Sequence, residues 1–342
     1  MITISLCMIV KNEEKILKRC LDSLKGIYDE LIIVDTGSED STKEIALEYT
    51  DRVYDFKWID DFSAARNFAM EKATKDYIYM ADADEVLDSE NREKFLLLKE
   101  VLDPQIEIVQ MNYVNQLSKG SVYNYDRELR AKLYKRERKF VFIDPIHEVI
   151  RENPVVYDSD IDIIHLQEES HASRDLYTFR KAIEKNKELS ERLISMYARE
   201  LVMGGSKEDF LLSEDFFDNL LKTKTLKEED FKAVNIILAK CALIRGDAKS
   251  LLKRALKDVG LSPSSEICFI LGEYFEAERD LEEALLWYLN AAFESEPLLN
   301  LRIKEEDSVN GLIRLYEELG YKEEAFKYRK LLEDKKSQSN FR

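Results

Sequence analysis

The sequence predicts a two-part chain: an α/β domain on a mixed, mainly parallel sheet, followed by an all-α domain of paired helices. Three observations carry this. Residues 1–90 alternate apolar runs of strand length with amphipathic helical segments. Strand signals fade after about residue 170. Beyond residue 229 an order of small and large residues recurs with an offset of 33 positions.

"TISLCMIV" is a continuous apolar run, as expected for a strand buried on both faces. In "NEEKILKRCLDSLKG", Ile16, Leu17, Cys20, Leu21 and Leu24 fall at helical spacing, and Gly26 stops the helix. "DELIIVDTGS" is a second buried strand ending in an acid and a turn. "EDSTKEIALEYT" predicts a helix, "DRVYDF" a short strand, "DFSAARNFAMEKAT" a third helix and "DYIYMADADEVL" one further strand. Repeated strand–helix units of this length build a parallel sheet, and ligands gather beyond the carboxyl ends of its strands. Asp35, Asp82 and Asp84 all stand at such ends.

From about 105 to 165, "IEIVQMNYVNQ", "ELRAKLYKR" and "VVYDSDIDIIHL" extend the same sheet as a mixed edge. The remainder reads as helices with short polar connections. "AKCALIRGDAKSLLKRAL" and "GEYFEAERDLEEALLWYL" align with Asp247 over Asp280 and Leu252 over Leu285. The order Leu271, Gly272, Phe275, Ala284, Tyr288, Ala291, Pro297 matches the tetratricopeptide pattern, one residue long at the proline. A further copy, "DSVNGLIRLYEELGYKEEAFKYRKLL", follows eight charge-rich residues. The expected layout is an α/β domain over 1–168, reaching at most to about 190, and a helical connection over 169–228. Tetratricopeptide-like repeats over 229–335 and a disordered tail over 336–342 complete it.

A net charge of −17 over 342 residues argues against a general nucleic-acid or anionic-membrane surface. No apolar run approaches the roughly 20 residues that span a bilayer, and "MITISLCMIVKNEE" has no basic n-region or small-residue cleavage site. A cytoplasmic protein without stable membrane insertion is therefore expected. The scattered cysteines Cys7, Cys20, Cys241 and Cys268 read as small buried hydrophobes.

In an extended chain the side chains of Asp82 and Asp84 point the same way, about 7 Å apart. Their repulsion is relieved by a hard divalent cation, Mg²⁺ or Mn²⁺, that also holds substrate phosphates. Asp35 precedes the turn-rich "TGSEDST", and Arg66 near a helix start presents a guanidinium suited to a diphosphate.

The first strand, Val-Asp-x-Gly-Ser-x-Asp-Ser-Thr from Val34, Ala-Arg-Asn from Ala65 and Asp-x-Asp from Asp82 follow in order. Together they resemble the family 2 glycosyltransferases of GT-A fold, over residues 2–90 and more loosely to 165. The resemblance implies that Asp35 recognises the base of a UDP-sugar, UDP-glucose by default, with Val10, Asn12 and Glu13 around the nucleoside. It places Arg66 near the diphosphate and has Asp82, Ala83 and Asp84 form the Asp-x-Asp that contacts ribose and metal. His165, in the apolar strand "DIIHL", is the late histidine that completes the metal shell in related enzymes. The family inverts the anomeric centre by single displacement and needs a base. No acid-rich acceptor motif stands out, and "FIDPIHEVI" supplies Asp144, His147 and Glu148, with His147 and Glu148 as alternative bases.

A GT-A domain followed by tetratricopeptide-like helices also resembles the bacterial group containing the sublancin-type peptide S-glycosyltransferases. That implies a Cys or Ser/Thr side chain of a peptide as acceptor, held by the helical repeats, which are equally suited to form a homodimer. Two other readings remain open: an acceptor in a cell-envelope glycan or lipid carrier, and a non-catalytic adaptor with a degenerate GT-A domain.

Overall fold

The computed structural model describes residues 1–115, 127–166, 172–185, 188–260 and 262–339. They form two compact units, Met1–His171 and Ala172–Arg342.

In the first unit the elements run β1 (Ile4–Val10), α1 (Leu17–Ser23), β2 (Glu30–Asp35), α2 (Thr42–Leu47), β3 (Val53–Asp55), α3 (Phe62–Lys72) and β4 (Tyr77–Met80). There follow β5 (Glu85–Val86), α4 (Ser89–Val101), β6 (Ile108–Asn115), β7 (Arg127–Lys135) and β8 (Val156–His165). The sheet order is β3-β2-β1-β4-β7-β6-β8-β5. Strands β3, β2, β1 and β4 are parallel, as the βαβ spacing predicts; β7 joins antiparallel to both β4 and β6, and β8 runs parallel to β6. This is the mixed, mainly parallel sheet that the sequence predicts.

Alternate residues of β1 feed opposite faces. Ile4, Leu6, Met8 and Val10 pack with Leu17, Leu21 and Leu24 of the α1 segment and with Phe95 and Leu98 of α4. Cys7 joins Ile32, Val34, Ile78 and Met80 against Ala69 and Met70 of α3. The period-2 alternation of buried side chains is what a central strand covered on both faces requires.

One expectation needs correcting. "DYIYMADADEVL" is not one strand: β4 stops at Met80 and the chain turns, Glu85 N–H donating to the Asp82 carbonyl at 3.2 Å. It resumes as the two-residue β5, antiparallel to the end of β8. The acids Asp82 and Asp84 cannot continue a strand whose neighbours are fully buried, so the ladder ends before them.

The second unit contains α5 (Ala172–Glu184), α6 (Glu191–Gly204), α7 (Lys207–Thr223), α8 (Glu228–Arg245), α9 (Ala248–Val259) and α10 (Ser265–Ala277). It continues with α11 (Leu281–Leu289), α12 (Ser308–Glu318) and α13 (Lys322–Ser339). The 33-residue repeat reappears as repeated geometry. Gly246 and Arg279 both take left-handed φ (71° and 66°), and the next residues, Asp247 and Asp280, cap α9 and α11 with nearly identical dihedrals. Asp247 N–H donates to Ala242 O and Asp280 N–H to Phe275 O, both at 2.9 Å; Tyr321 N–H donates to Tyr316 O at 2.8 Å beside Gly320 in a third copy. Between the second and third copies lie two π-helical turns, 290–294 and 303–307, which absorb the extra residues. The chain is still helical at Ser339, inside the stretch 336–342 expected as a tail, and 340–342 lie outside the described residues.

Glycines at 272 and 311 have a packing reason. A Cβ on Gly272 would sit 2.7 Å from the Tyr288 ring, and one on Gly311 3.0 Å from the same ring. Tyr288 is fully buried, and its hydroxyl donates to Glu276 at 2.8 Å, so one ring keys three helices together. Among the described residues no helix is long and apolar enough to cross a membrane.

Candidate donor and metal site

Two loops meet beyond the carboxyl ends of β1 and β2. Asp35, at the end of β2, is buried, and its Oδ1 accepts from the N–H groups of Gly37 and Ser38 at 2.8 and 2.9 Å. This tight turn carries Gly37 at φ 103°, a conformation only glycine adopts without strain. The Asp35 Oδ2 is buried and makes no hydrogen bond. A buried acceptor left over in this way fits the N–H of a bound ligand.

Val10 ends β1, and Asn12 follows in a left-handed conformation (φ 56°). Its N–H donates to Ser38 Oγ (3.0 Å) and its Oδ1 accepts from Glu39 N–H (2.8 Å); Glu13 N–H donates to Thr42 Oγ1 (2.6 Å). The residues expected around a nucleoside are thus stitched to the turn after Asp35.

The Asp-x-Asp acids part company. Asp82 faces Arg66, whose Nη2 donates to Asp82 Oδ1 at 2.9 Å while its Nε donates to Glu148. Asp84 instead faces His165, with Oδ2 and Nε2 2.9 Å apart. The register explains this: β5 sets Glu85 opposite His165, and Leu166 N–H donates to the Asp84 carbonyl at 2.8 Å. The expected convergence of Asp82 and Asp84 rested on an extended chain, and the turn at 82–84 separates them. Ala83, between them, is buried.

Burial by itself would raise the Asp82 carboxyl, but Arg66, then Lys132 and Arg130 outweigh it and hold it well below the usual carboxylate range. Burial likewise opposes the charge on Arg66, but Asp82 and Glu148 keep it firmly protonated. Behind the turn, Glu85 is 1% exposed and pairs with Lys132, itself 5% exposed. Burial pushes the Glu85 carboxyl up against the pull of Lys132. Four carboxylates (Asp82, Asp84, Glu85, Glu148) therefore face two cations (Arg66, Lys132).

A divalent cation fits this donor set. The 2.9 Å between Asp84 and His165 is the separation of adjacent ligands at right angles around an ion with bonds of about 2.1 Å.

The acceptor-side candidates separate as well. Asn67 clamps the segment before them to α3: its Nδ2 donates to Phe142 O (2.9 Å) and its Oδ1 accepts from Phe142 N–H (2.8 Å). Glu148 is brought to Arg66, whereas Asp144 lies 3.7 Å from Arg151. Asp144 and His147 both have left-handed φ (76° and 48°), which turns the backbone sharply just before Glu148.

Sequence reasoning missed Lys132, Arg130 and Tyr113. Arg130 stands over the Tyr113 ring at 3.8 Å, and Tyr113 packs on the His165 ring at 4.8 Å. The available signal was "RAK": Arg130 and Lys132, two residues apart on a strand, share one face.

Residues 5–159, within the first unit, match the model of the family described as Glycosyl transferase family 2. Among relatives, the chain is 39% identical over 150 residues to a TPR repeat-containing protein of Synechococcus elongatus (44% of this chain, 36% of that protein). It is 34% identical over 149 residues to the SPbeta prophage-derived glycosyltransferase SunS of Bacillus subtilis (43% and 34%). To the lipopolysaccharide core biosynthesis glycosyltransferase LpsC of Rhizobium meliloti it is 34% identical over 110 residues (31% and 39%). The chain thus spans little more than a third of the length of these relatives. Among solved structures, glucosyl-3-phosphoglycerate synthase of Mycobacterium tuberculosis superposes with a TM-score of 0.40 at 15% identity, covering 55% of this chain and 80% of that one.

Proposed function

We propose that the protein is an inverting, metal-dependent glycosyltransferase that moves a sugar from a UDP-sugar to a Cys or Ser/Thr side chain of a peptide. The observation that carries the reading is the meeting of Asp84 with His165 beside the Arg66–Asp82–Glu148 chain, inside a family 2 domain.

In this reading Asp35 offers its unpaired oxygen to the base, and the stitched loops of residues 10–13 and 36–42 wall the nucleoside. Asp84 and His165 would hold Mg²⁺ or Mn²⁺, which would supply a Lewis acid for charge on the departing nucleotide. Asp82 stays ionised to accept from the ribose hydroxyls, and Arg66 turns its guanidinium to the diphosphate. Glu148, one guanidinium away from Asp82, takes the proton of the acceptor thiol or hydroxyl as that atom attacks the anomeric carbon from the face opposite the nucleotide. His147 is its neighbour and the alternative base.

Tetratricopeptide-like pairs α8/α9, α10/α11 and α12/α13 supply a surface for an extended or helical acceptor, or for a second copy of the chain. Similarity to SunS supports the glycosyltransferase reading, and similarity to LpsC favours a second acceptor class, a cell-envelope glycan.

The test is mass spectrometry of a cysteine-containing peptide encoded beside the gene after incubation with UDP-glucose and Mn²⁺. Addition of one hexose is expected. No addition, with transfer to an envelope glycan instead, replaces the acceptor; no UDP release under any condition sinks the enzyme.

A further inference from the structure

Glu85 and Lys132 form a buried ion pair directly behind the Asp-x-Asp turn, and the mechanism above uses neither. Such a pair is a poor source of stability, since two charges lose their water for one contact. Lys132 has a second neighbour: its Nζ lies 3.6 Å from Asp82 Oδ2, on the side of that carboxylate opposite the Arg66 contact at Oδ1. It also lies 5.4 Å from the ring of Tyr113, the residue that packs on His165. One buried ammonium thus stands close to both the acid facing Arg66 and the aromatic support of the histidine facing Asp84.

From this we infer that Lys132 is a positioning residue for the donor. Held from below by Glu85, it fixes the plane of the Asp82 carboxylate against Arg66 and keeps Asp82 turned away from Asp84 and His165. The acid at 82 is thereby kept for the sugar nucleotide, and the acid at 84 for the cation. Without Lys132, Asp82 keeps a single anchor and its carboxylate is free to swing toward the metal ligands. The inference rests on the donor reading and adds to it a residue on β7 to which that reading assigns neither nucleotide nor metal.

The experiment compares the parent protein with Lys132→Met and with the double variant Glu85→Gln/Lys132→Met. Binding of UDP in the presence of Mn²⁺ is followed by titration calorimetry, and Tm is recorded for each. Lys132→Met should lower the Tm, because Glu85 is left buried and unpaired, and weaken UDP–Mn²⁺ binding by about 10–100-fold, as for other residues that orient ligands from behind. The double variant should recover the Tm but not the affinity. If it recovers both, or if Lys132→Met binds like the parent, Lys132 is only half of a structural pair and the inference falls. A parent protein that binds no UDP with Mn²⁺ overturns the donor reading itself, a result visible before any substitution is made.

Discussion

Asp84 and His165 lie 2.9 Å apart and come from segments 81 positions apart in the chain. If they hold the cation, Asp84→Ala and His165→Ala should each abolish the Mn²⁺-dependent rise in Tm produced by UDP, while the Tm of the free protein changes little. A thermal-shift titration decides it, and a retained shift in either variant removes that residue from the site. Glu148→Gln keeps a hydrogen-bonding group beside Arg66 but cannot take a proton. Transfer should fall by about 10²–10⁴-fold, with UDP affinity nearly unchanged, as measured by single-turnover rates alongside calorimetry. A fall of that size in His147→Gln and not in Glu148→Gln would move the base by one residue. Asp35, Arg66, Asp82, Asp84, Glu148 and His165 are all legible in the sequence as residue types at strand ends, in turns or near a helix start. Their pairing is not. Whether two acids at i and i+2 converge depends on the backbone staying extended, and here a strand from the far end of the domain pulls one of them aside.

At the level of elements, the βαβ alternation and the 33-residue helical repeat are readable because each follows from a single periodicity. What periodicity does not carry is contact between elements with different periods. Glu266, on α10, is 1% exposed, and its carboxylate accepts from the N–H groups of Leu298, Leu299 and Asn300 at 2.7–3.1 Å. It pins the loop between the two π-helical turns, where the repeat is interrupted. Glu266→Ala leaves three donors, two of them buried, without their acceptor and should destabilise the chain by roughly 2–4 kcal/mol by urea unfolding. Gly272→Ala forces a methyl into the Tyr288 ring and should cost about 1–3 kcal/mol. Loss below about 0.5 kcal/mol would mean that the helices spread freely at that point.

The whole molecule carries a net charge of −17, and part of its acidity is internal to the helical unit. Asp258 is fully buried and accepts from the N–H and hydroxyl of Ser264 at 2.8 and 2.9 Å. Burial nonetheless raises its carboxyl above the usual range. The folded chain therefore keeps this proton at pH values where the unfolded chain, titrating near 3.9, has lost it. Its contribution is full at low pH and is lost as the pH rises through the raised value. Asp258→Asn, which cannot ionise, should gain in Tm relative to the parent as the pH goes from about 3 to about 7. A flat difference across that range would show that Asp258 does not titrate abnormally.

The place of β5 has a bearing on synthesis. This two-residue strand finds its partner only at the carboxyl end of β8, the last strand laid into the sheet. The centre of the sheet, β1 with β2 and β4, can assemble while the ribosome is still translating the second half of the domain. Asp84 must wait for His165. If Asp84 and His165 hold a cation, a nascent chain gains that site only after β8 has emerged.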